Sequence, residues 1–483
     1  MTAVEGSFRS QMRGTIMGVV VLAATLLLPP PEGMSPQAWL VAGVAVLMAI
    51  WWITEALPIA ATALVPLLLF PLFGIATMRE TAAPYADPII FLFLGGFIVA
   101  TAMQRWSLHR RIGLRVIGLV GTAPNRLSAG FLLSTAFLSM WISNSATAIM
   151  MLPVAISVLA LFSRDDTANE ETHRNLGIVL MLAVAYGANI GGLATLIGTP
   201  PNALLAGYMA REHHVTIGFA QWMVLGLPVA VILLLGAWWI LIRVYPVDRG
   251  ITANAADVVR AELAKLGAMT PAEIRVACVF GLTALAWMTR PLYAGFVPAI
   301  DDSVIAIVAA LALFLLPSGS REGGRLLVWD DLAALPWGVL ILFGGGLTLA
   351  AGISASGLAA WLGAAVGAFA TWPVILIVTA ATIAMLFLTE LSSNTASAAT
   401  FLPIGGAIAM GIGIDPLALT VPLALASSCA FMLPVATPPN AIVFASGRVS
   451  IGQMARIGLL VNLLATAIIL AVAYPLAGWL FGG

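Results

Sequence analysis

The sequence has little charge and few groups suited to redox or metal chemistry. Only 9% of its 483 residues are charged, against about 25% in an ordinary soluble domain. Its two cysteines, Cys278 and Cys429, form no C-x-x-C pair, and its four histidines lack metal-ligand spacing. A glycine-rich nucleotide loop is absent, the net charge is zero and the basic residues are scattered. These absences exclude a water-soluble globule and give no support to a redox protein, a zinc site, a nucleotide-driven machine or a nucleic-acid partner.

Long apolar runs take the place of the missing charge. Hydrophobic residues make up 61% of the chain, and runs of about 20 residues, enough to cross about 30 Å of hydrocarbon, recur from end to end. They do not alternate as the strands of a membrane barrel do, so they predict helices. We expect an all-α polytopic membrane protein with about 11 transmembrane helices and two re-entrant helical hairpins. The first run, 14–28, ends at three prolines without a small-x-small cleavage site, so we interpret it as a retained span rather than a secretory signal.

Three short motifs occur twice in the same order along the chain. The copies are F-L-G-G-F at 93–97 with F-G-G-G-L at 343–347, S-N-S at 143–145 with S-N-T at 393–395, and G-T-P-P-N-A at 198–203 with A-T-P-P-N-A at 436–441. The first two pairs are 250 positions apart (343 minus 93, 393 minus 143) and the third is 238 apart (436 minus 198). A polar insert at 163–174 has 12 residues, the length needed to account for the shortfall of 12. The motifs therefore predict an internal repeat.

The distribution of basic residues predicts how the chain crosses the membrane, because cytoplasmic loops hold most Lys and Arg. With the amino terminus in the cytoplasm, the carboxyl terminus outside and each hairpin returning to its own side, only Arg79, Arg211 and Arg290 lie outside. The other 18 of the 21 basic residues (21 minus 3) then lie inside. The first hairpin opens from the cytoplasm and the second from outside, so the two halves are inverted, as in many secondary transporters.

The expected organisation follows from these assignments. We predict an amino-terminal segment with the first span at 1–36, a first inverted repeat at 37–245, a cytoplasmic linker at 246–272 and a second inverted repeat at 273–483. Within the repeats, scaffold helices are expected at 37–118 and 273–367, and the hairpins with their transport-domain helices at 126–245 and 373–483.

The repeated motifs have the chemistry of a binding site for an anion together with cations. The prolines of each T-P-P-N motif donate no backbone hydrogen bond, so preceding carbonyl oxygens are free for a hard cation such as sodium. The helix that follows each break, and each hairpin tip, presents free N-H groups, which favour an anion. Neither cluster contains Arg or Lys, so an anion bound there needs co-bound cations to offset its charge, which couples the two ligands.

Each feature also has a structural explanation. Ser and Thr in membrane helices bond back to the preceding turn, and paired prolines kink a helix, although the recurrence of both motifs favours a site. The glycines at 95–96 and 344–346 are better explained by close helix packing than by ligand contact. Glu55, near a cytoplasmic helix end, is interpreted as solvated or capped rather than as a proton relay. Glu390 either orients the second hairpin tip or senses protons.

With these motifs the sequence resembles the divalent anion/sodium symporter family over nearly its whole length. The resemblance implies a homodimer in which a transport domain moves like an elevator against a scaffold. It implies at least two sodium ions, the first bound by Ser139, Ser143, Asn144 and Gly198 and the second by Thr389, Ser392, Asn394 and Ala436. It also implies that the substrate contacts Asn144, Ser145, Thr199, Asn394, Thr395, Thr437 and Pro438. The family's first motif usually ends in Thr where this chain has Ser145, which leaves the preferred substrate size open.

These observations and the resemblance predict a sodium-coupled symporter for C4-type dicarboxylates such as succinate, malate and fumarate, in a bacterial inner (plasma) membrane. A sodium-independent dicarboxylate exchanger, and a sodium symporter for sulfate or citrate, remain alternatives. A membrane-embedded enzyme has no nucleophile-base set to support it, and a channel does not fit sites built to occlude. The expected partners are a small dicarboxylate, membrane lipid and a second copy of the chain.

Overall fold

The computed structural model describes residues 2–121, 123–162, 170–247, 255–320, 323–367 and 371–481. Over these residues the regular structure is helical, apart from one isolated β-bridge between Pro317 and Arg325. The expectation of an all-α chain is therefore confirmed. Most of the predicted polar insert, 163–169, and part of the predicted cytoplasmic linker, 248–254, lie outside the described residues.

The amino-terminal half contains helices of 4 to 26 residues, and the longest are Thr2–Leu27, Glu170–Gly192 and Phe219–Val244. Its helices are α1 (Thr2–Leu27), α2 (Pro36–Ile53), α3 (Ile59–Thr62), α4 (Val65–Leu72), α5 (Met78–Ala82), a 3-10 helix (Ala83–Ala86), α6 (Pro88–Arg105), α7 (Leu108–Val120), α8 (Pro124–Ser139), α9 (Asn144–Phe162), α10 (Glu170–Gly192), α11 (Pro200–Glu212) and α12 (Phe219–Val244).

The carboxyl-terminal half is also built of long and short helices. Its helices are α13 (Ala255–Leu266), α14 (Pro271–Tyr293), α15 (Asp302–Leu315), a 3-10 helix (Trp329–Ala334), α16 (Trp337–Ala355), α17 (Leu358–Ala365), α18 (Val374–Thr389), α19 (Asn394–Gly411), α20 (Pro416–Ser427), α21 (Pro438–Phe444), α22 (Ile451–Ile468), a π-helical turn (Ile469–Ala473) and α23 (Tyr474–Phe481). Oxygen-bearing side chains start several of them: those of Ser35, Asp87, Thr270, Asp301 and Asp415 accept hydrogen bonds from first-turn N-H groups.

Seven helical segments in the described part of the chain are long and apolar enough to cross a membrane. They are Pro36–Ile53, Met78–Arg105, Glu170–Gly192, Phe219–Val244, Pro271–Tyr293, Trp337–Ala355 and Ile451–Phe481. Further apolar helices of 10 to 17 residues include Asp302–Leu315 and Val374–Thr389. The expected number of crossings, about 11, depends on how these shorter pieces lie in the bilayer and stays a prediction.

Two helical hairpins occur where the sequence predicts them. Helices α8 and α9 are joined by a four-residue turn at 140–143, and α18 and α19 by one at 390–393. Asn144 and Asn394 are the first residues of the second arms, so both polar motifs lie at a helix amino terminus. Entry and exit of each hairpin on one side of the membrane stays a prediction.

Two helices are interrupted where the T-P-P-N motifs predict a break. The chain leaves α10 at Gly192 and resumes at Pro200 in α11, and it leaves α20 at Ser427 and resumes at Pro438 in α21. In both cases the paired prolines occupy the first turn of the new helix. N-H groups in a first turn have no partner within the helix, so prolines cost no hydrogen bond there.

Helix α10 lies at the centre of the molecule and is buried without interruption from Asn175 to Gly192. It approaches α8 through glycines: a Cβ at Gly191 would lie 2.2 Å from Ala136 O. Repeated glycines on α6 and α16 allow the same closeness, because a Cβ at Gly95 would lie 2.6 Å from the backbone of Ala306 and one at Gly345 would lie 2.3 Å from Ala63 O. The packing interpretation of these two glycines is therefore confirmed.

Candidate functional site

Both hairpin tips and both helix breaks border one central cavity of about 1190 Å³. Residues from the two halves of the chain, such as Asn144 and Asn394, therefore line one space. The sequence-predicted site residues that line it are Ser143, Asn144, Ser145, Gly198, Thr199, Ser392, Asn394, Thr395, Ala436, Thr437 and Pro438. The two others, Ser139 and Thr389, are fully buried and contact the tip asparagines. The structure brings the predicted residues together, while their individual roles stay predictions.

Asn144 ties the first hairpin to the first helix break. Its amide lies 2.6 Å from Ser139 Oγ. Turned so that Nδ2 meets acceptors, the amide donates to Ser139 Oγ at 2.6 Å and to Gly198 O and Ala188 O at 3.2 Å each. The Ser139 hydroxyl in turn donates to Ala188 O at 2.7 Å. Hydroxyl, amide and carbonyl oxygens thus converge here, which is the ligand chemistry that a hard cation prefers.

The second hairpin repeats this arrangement. The Thr389 hydroxyl lies 2.8 Å from Asn394 Oδ1 and 2.7 Å from Ser427 O, at the end of α20. Thr389 and Asn394 follow Ser139 and Asn144 by the same 250 positions (389 minus 139, 394 minus 144). The correspondence seen in the motifs thus extends to their contacts.

A buried asparagine behind each break binds carbonyl oxygens that the interruption would otherwise leave unpaired. Asn202 Nδ2 donates to Gly192 O at 3.1 Å and Thr195 O at 2.8 Å. Asn440 Nδ2 donates to the oxygens of Ala430 at 3.1 Å and Leu433 at 3.0 Å, which stand 238 positions after those two acceptors (430 minus 192, 433 minus 195). These asparagines fix the shape of the breaks, so only part of the released carbonyls remain for a ligand. Both asparagines belong to the repeated T-P-P-N motif, and this repetition is the sequence feature that points to them.

Asn189 connects the two halves at the cavity wall and was not predicted from the sequence. It lies in α10, is buried, and its Nδ2 donates to Ala430 O, Thr437 Oγ1 and Asn440 Oδ1 at 3.1 to 3.2 Å. An amide inside the apolar, buried stretch 176–192 of this helix was the available signal. The bond to Thr437 makes Asn189 a support for a predicted substrate contact.

Glu390, at the second hairpin tip, holds the second break in place. Its buried carboxylate accepts hydrogen bonds from the N-H groups of three consecutive residues, 431–433, at 2.8 to 3.1 Å. Asn462 Nδ2 donates to it at 2.7 Å. Of the two roles left open by the sequence, the contacts favour orientation of the tip. The equivalent residue 250 positions earlier is Met140, whose carbonyl oxygen instead accepts from Thr195 Oγ1 at 2.5 Å.

The cavity wall carries almost no charge. Among the described residues that line it, Glu55 is the one with an ionisable side chain, and Arg and Lys are absent. In the described part of the chain no group of three or more His, Cys, Asp or Glu residues is placed to hold a metal ion. A cation bound in the cavity therefore depends on hydroxyl, amide and backbone oxygens, and an anion has no basic residue there to neutralise it.

Interrupted helices, paired hairpins and a shared polar cavity inside an apolar molecule are features of membrane transport proteins. Residues 9–482 match the family model described as the sodium:sulfate symporter transmembrane region. The chain belongs to this family, and the resemblance to divalent anion/sodium symporters is confirmed. It is thus a transporter-family protein rather than an enzyme.

Curated relatives are similar over nearly the whole chain. Identity is 43% over 472 residues with the sodium-dependent dicarboxylate transporter SdcS of Staphylococcus saprophyticus, covering 96% of this chain and 91% of the relative. Identity with SdcS of Staphylococcus aureus is 42% at the same coverage.

Two solved transporters share the fold at low sequence identity. The YdaH transporter of Alcanivorax borkumensis superposes with a TM-score of 0.52 at 14% identity, covering 90% of this chain and 98% of that chain. MtrF of Neisseria gonorrhoeae superposes with a TM-score of 0.55 at 12% identity, covering 95% and 97%. At these identities the likeness concerns the fold alone.

Proposed function

We propose that the protein is a sodium-coupled symporter that imports C4-type dicarboxylates, such as succinate, malate and fumarate, through a bacterial inner (plasma) membrane. The observation that carries the proposal is the central cavity, where two matching sets of hydroxyl, amide and carbonyl oxygens meet without a basic side chain. The names of the relatives, which describe sodium-dependent dicarboxylate transporters, support the choice of ligands.

Two sodium ions fit the two matching sets. The first set consists of Ser139, Ser143, Asn144 and Gly198, and the second of Thr389, Ser392, Asn394 and Ala436. Their support is the repeated contact of a buried hydroxyl with a tip asparagine, at 2.6 Å in the first half and 2.8 Å in the second. Two monovalent cations would offset the two charges of a dicarboxylate, so each ligand raises the affinity for the other.

The dicarboxylate fits between the two tips. One carboxylate would contact Asn144, Ser145 and Thr199, and the other Asn394, Thr395, Thr437 and Pro438. Helices α9 and α19 begin at the two asparagines, so their free N-H groups and dipoles favour an anion at both ends of the cavity.

We propose further that the halves are inverted repeats, that hairpins and broken helices (126–245 and 373–483) move as a transport domain, and that the helices at 37–118 and 273–367 form the scaffold of a homodimer. Gln11, Glu55 and Pro336 border the central cavity, and the basic-residue distribution assigns all three to the cytoplasmic side. Under that topology the cavity opens to the cytoplasm, so this structure corresponds to the inward-facing state of an elevator cycle.

Uptake of radiolabelled succinate into proteoliposomes tests the proposal. Sodium should be required, malate and fumarate should compete, and Asn144→Ala or Asn394→Ala should lower uptake by more than about 100-fold, since each removes a ligand from both the sodium and the substrate sets. Ser157→Ala, which deletes an exposed hydroxyl that bonds back to Pro153 O in α9, is the matched control and should leave uptake unchanged. Uptake that persists in choline would indicate the exchanger instead, and competition by sulfate or citrate alone would change the substrate.

A further inference from the structure

Glu55 occupies a backbone position that ordinarily favours glycine. Its φ is +48°, in the left-handed region. It follows the end of α2, where Thr54 N donates to Ile50 O and Ala56 N donates to Trp51 O. This is the bonding pattern of a helix end whose left-handed residue is usually glycine, because a side chain there is strained. The strain points to a use for the carboxylate that the fold itself does not need.

Glu55 lies at the border of the central cavity. Glu55 is exposed and, among the described residues, is the one ionisable side chain that lines the cavity with Asn144 and Asn394. The turn that carries it is held by α1, since a Cβ at Gly14 would lie 2.2 Å from Thr54 Oγ1. Glu55 therefore stands on a fixed turn at the border of a space whose other described lining residues carry no charge.

A single negative charge in such a cavity acts differently on the two proposed ligands. It raises the local concentration of sodium and lowers that of a dicarboxylate, and the low-dielectric walls strengthen both effects. Once two sodium ions occupy the hairpin sites, their charges outweigh that of Glu55 and the dicarboxylate is no longer repelled. A carboxylate at this position thus favours sodium loading before substrate.

We propose that Glu55 is an electrostatic positioning residue at the cytoplasmic mouth, which draws sodium to the empty sites from that side and opposes entry of a dicarboxylate before sodium. This proposal rests on the proposed function and adds a residue that lies in the predicted scaffold rather than in the sodium or substrate sets. It acts on one face of the membrane, because the cavity opens to one face in this conformation.

Glu55→Asp and Glu55→Asn form the matched pair that tests it. Asp and Asn have nearly the same shape and both tolerate the left-handed region, so loss of the negative charge is the main difference between them. The sodium concentration for half-maximal transport is measured separately from the cytoplasmic and outer faces, in inside-out and right-side-out vesicles. Asp should resemble the wild type, and Asn should raise the cytoplasmic value about three- to tenfold at low ionic strength, the factor expected of one charge in a partly solvated cavity. The outer value should not change, and added choline chloride should shrink the difference.

Two further variants separate this effect from surface charge and from a structural role. Asp330→Asn removes an exposed carboxylate on the same predicted face that does not line the cavity, and it should leave both sodium values unchanged. Glu55→Gly should keep or raise the melting temperature, because glycine suits the turn, while reproducing the weaker cytoplasmic sodium dependence of Asn.

Equal sodium values for Asp and Asn, or equal changes on both faces, would overturn the proposal, as would a melting temperature lowered by Glu55→Gly with normal sodium values. Failure of the proposed function has a different signature, since the wild type itself would then transport without sodium.

Discussion

At the residue scale, the two proposed cation sites differ in the room they leave at the helix breaks, where the first has Gly198 and the second Ala436. Gly198 and Ala436 correspond in the repeat, but a Cβ at Gly198 would lie 2.5 Å from Gly192 O, a backbone atom that also accepts a hydrogen bond from Asn202 Nδ2. Gly198→Ala should therefore displace the carbonyl at the first site and raise the sodium concentration for half-maximal uptake at least about tenfold. Ala436→Gly removes a methyl group and should change that value less than about threefold. Equal sensitivity of the two positions in sodium titrations of uptake would contradict this difference.

The bonds of Glu390 predict a positioning role without a proton. Glu390→Gln exchanges one acceptor oxygen for an NH2 group that cannot accept the N-H groups of 431–433, at a cost of roughly 1–3 kcal/mol per unsatisfied buried group. We expect a lower melting temperature and a raised KM for substrate, because the second break carries Thr437 and Pro438. The pH profile of uptake should keep its shape. A profile that loses a titration step in Glu390→Gln would instead show that the carboxyl group carries a proton.

Site residues in repeated motifs could be predicted from the sequence, whereas residues that act through long-range contacts could not. Asn144 and Asn394 were predicted because each lies in a polar motif that recurs. Asn189 lies outside the repeated motifs, and its partner Ala430 stands 241 positions away. The sequence pattern therefore does not indicate this contact. The role of Glu390 was left open for the same reason, since its acceptor geometry exists only after α20 breaks.

At the scale of helices, the length of each apolar run predicted where helices form. It predicted less well how those helices lie in the membrane. Hairpins and breaks were found from prolines and polar clusters, which act on the local backbone. The number of crossings does not follow in the same way, since arms such as α18, with 16 residues, and half-helices such as α11, with 13, are shorter than a bilayer span. Their depth depends on packing against neighbouring helices, which length alone does not specify.

The contact between α8 and α10 gives a prediction with a control in the same helix. Gly191→Ala would place a Cβ 2.2 Å from Ala136 O, so the helices must separate, which should cost about 1–3 kcal/mol and lower the melting temperature. Gly177, also in α10, has no atom within 4 Å of the position that a Cβ would take. Gly177→Ala should be neutral or stabilise by up to about 1 kcal/mol through helix propensity. Thermal unfolding of both variants in detergent, read by fluorescence, would refute the packing argument if they behaved alike.

At the scale of the whole molecule, aromatic rings join the first hairpin to helices on both sides of the proposed domain boundary. Trp141, at the hairpin tip, stacks on Phe219 with ring centroids 6.1 Å apart and makes a T-shaped contact with Phe280, with ring centroids 5.1 Å apart. Phe219 belongs to the proposed transport domain, while Phe280, in α14, belongs to the proposed scaffold. An elevator motion must keep the first contact and break the second.

Pairs of introduced cysteines, in a variant that lacks Cys278 and Cys429, test which of the two contacts breaks during transport. Bridging Trp141→Cys to Phe280→Cys with a cleavable bifunctional thiol reagent should stop uptake, because it fixes the transport domain to the scaffold in the inward-facing state, and cleavage should restore it. Bridging Trp141→Cys to Phe219→Cys joins two parts of one moving body, so uptake should continue. If both bridges block uptake, the two segments move relative to each other and the domain boundary is wrong. If neither blocks it, the hairpin does not travel against α14, and substrate must cross by local gating around a fixed site.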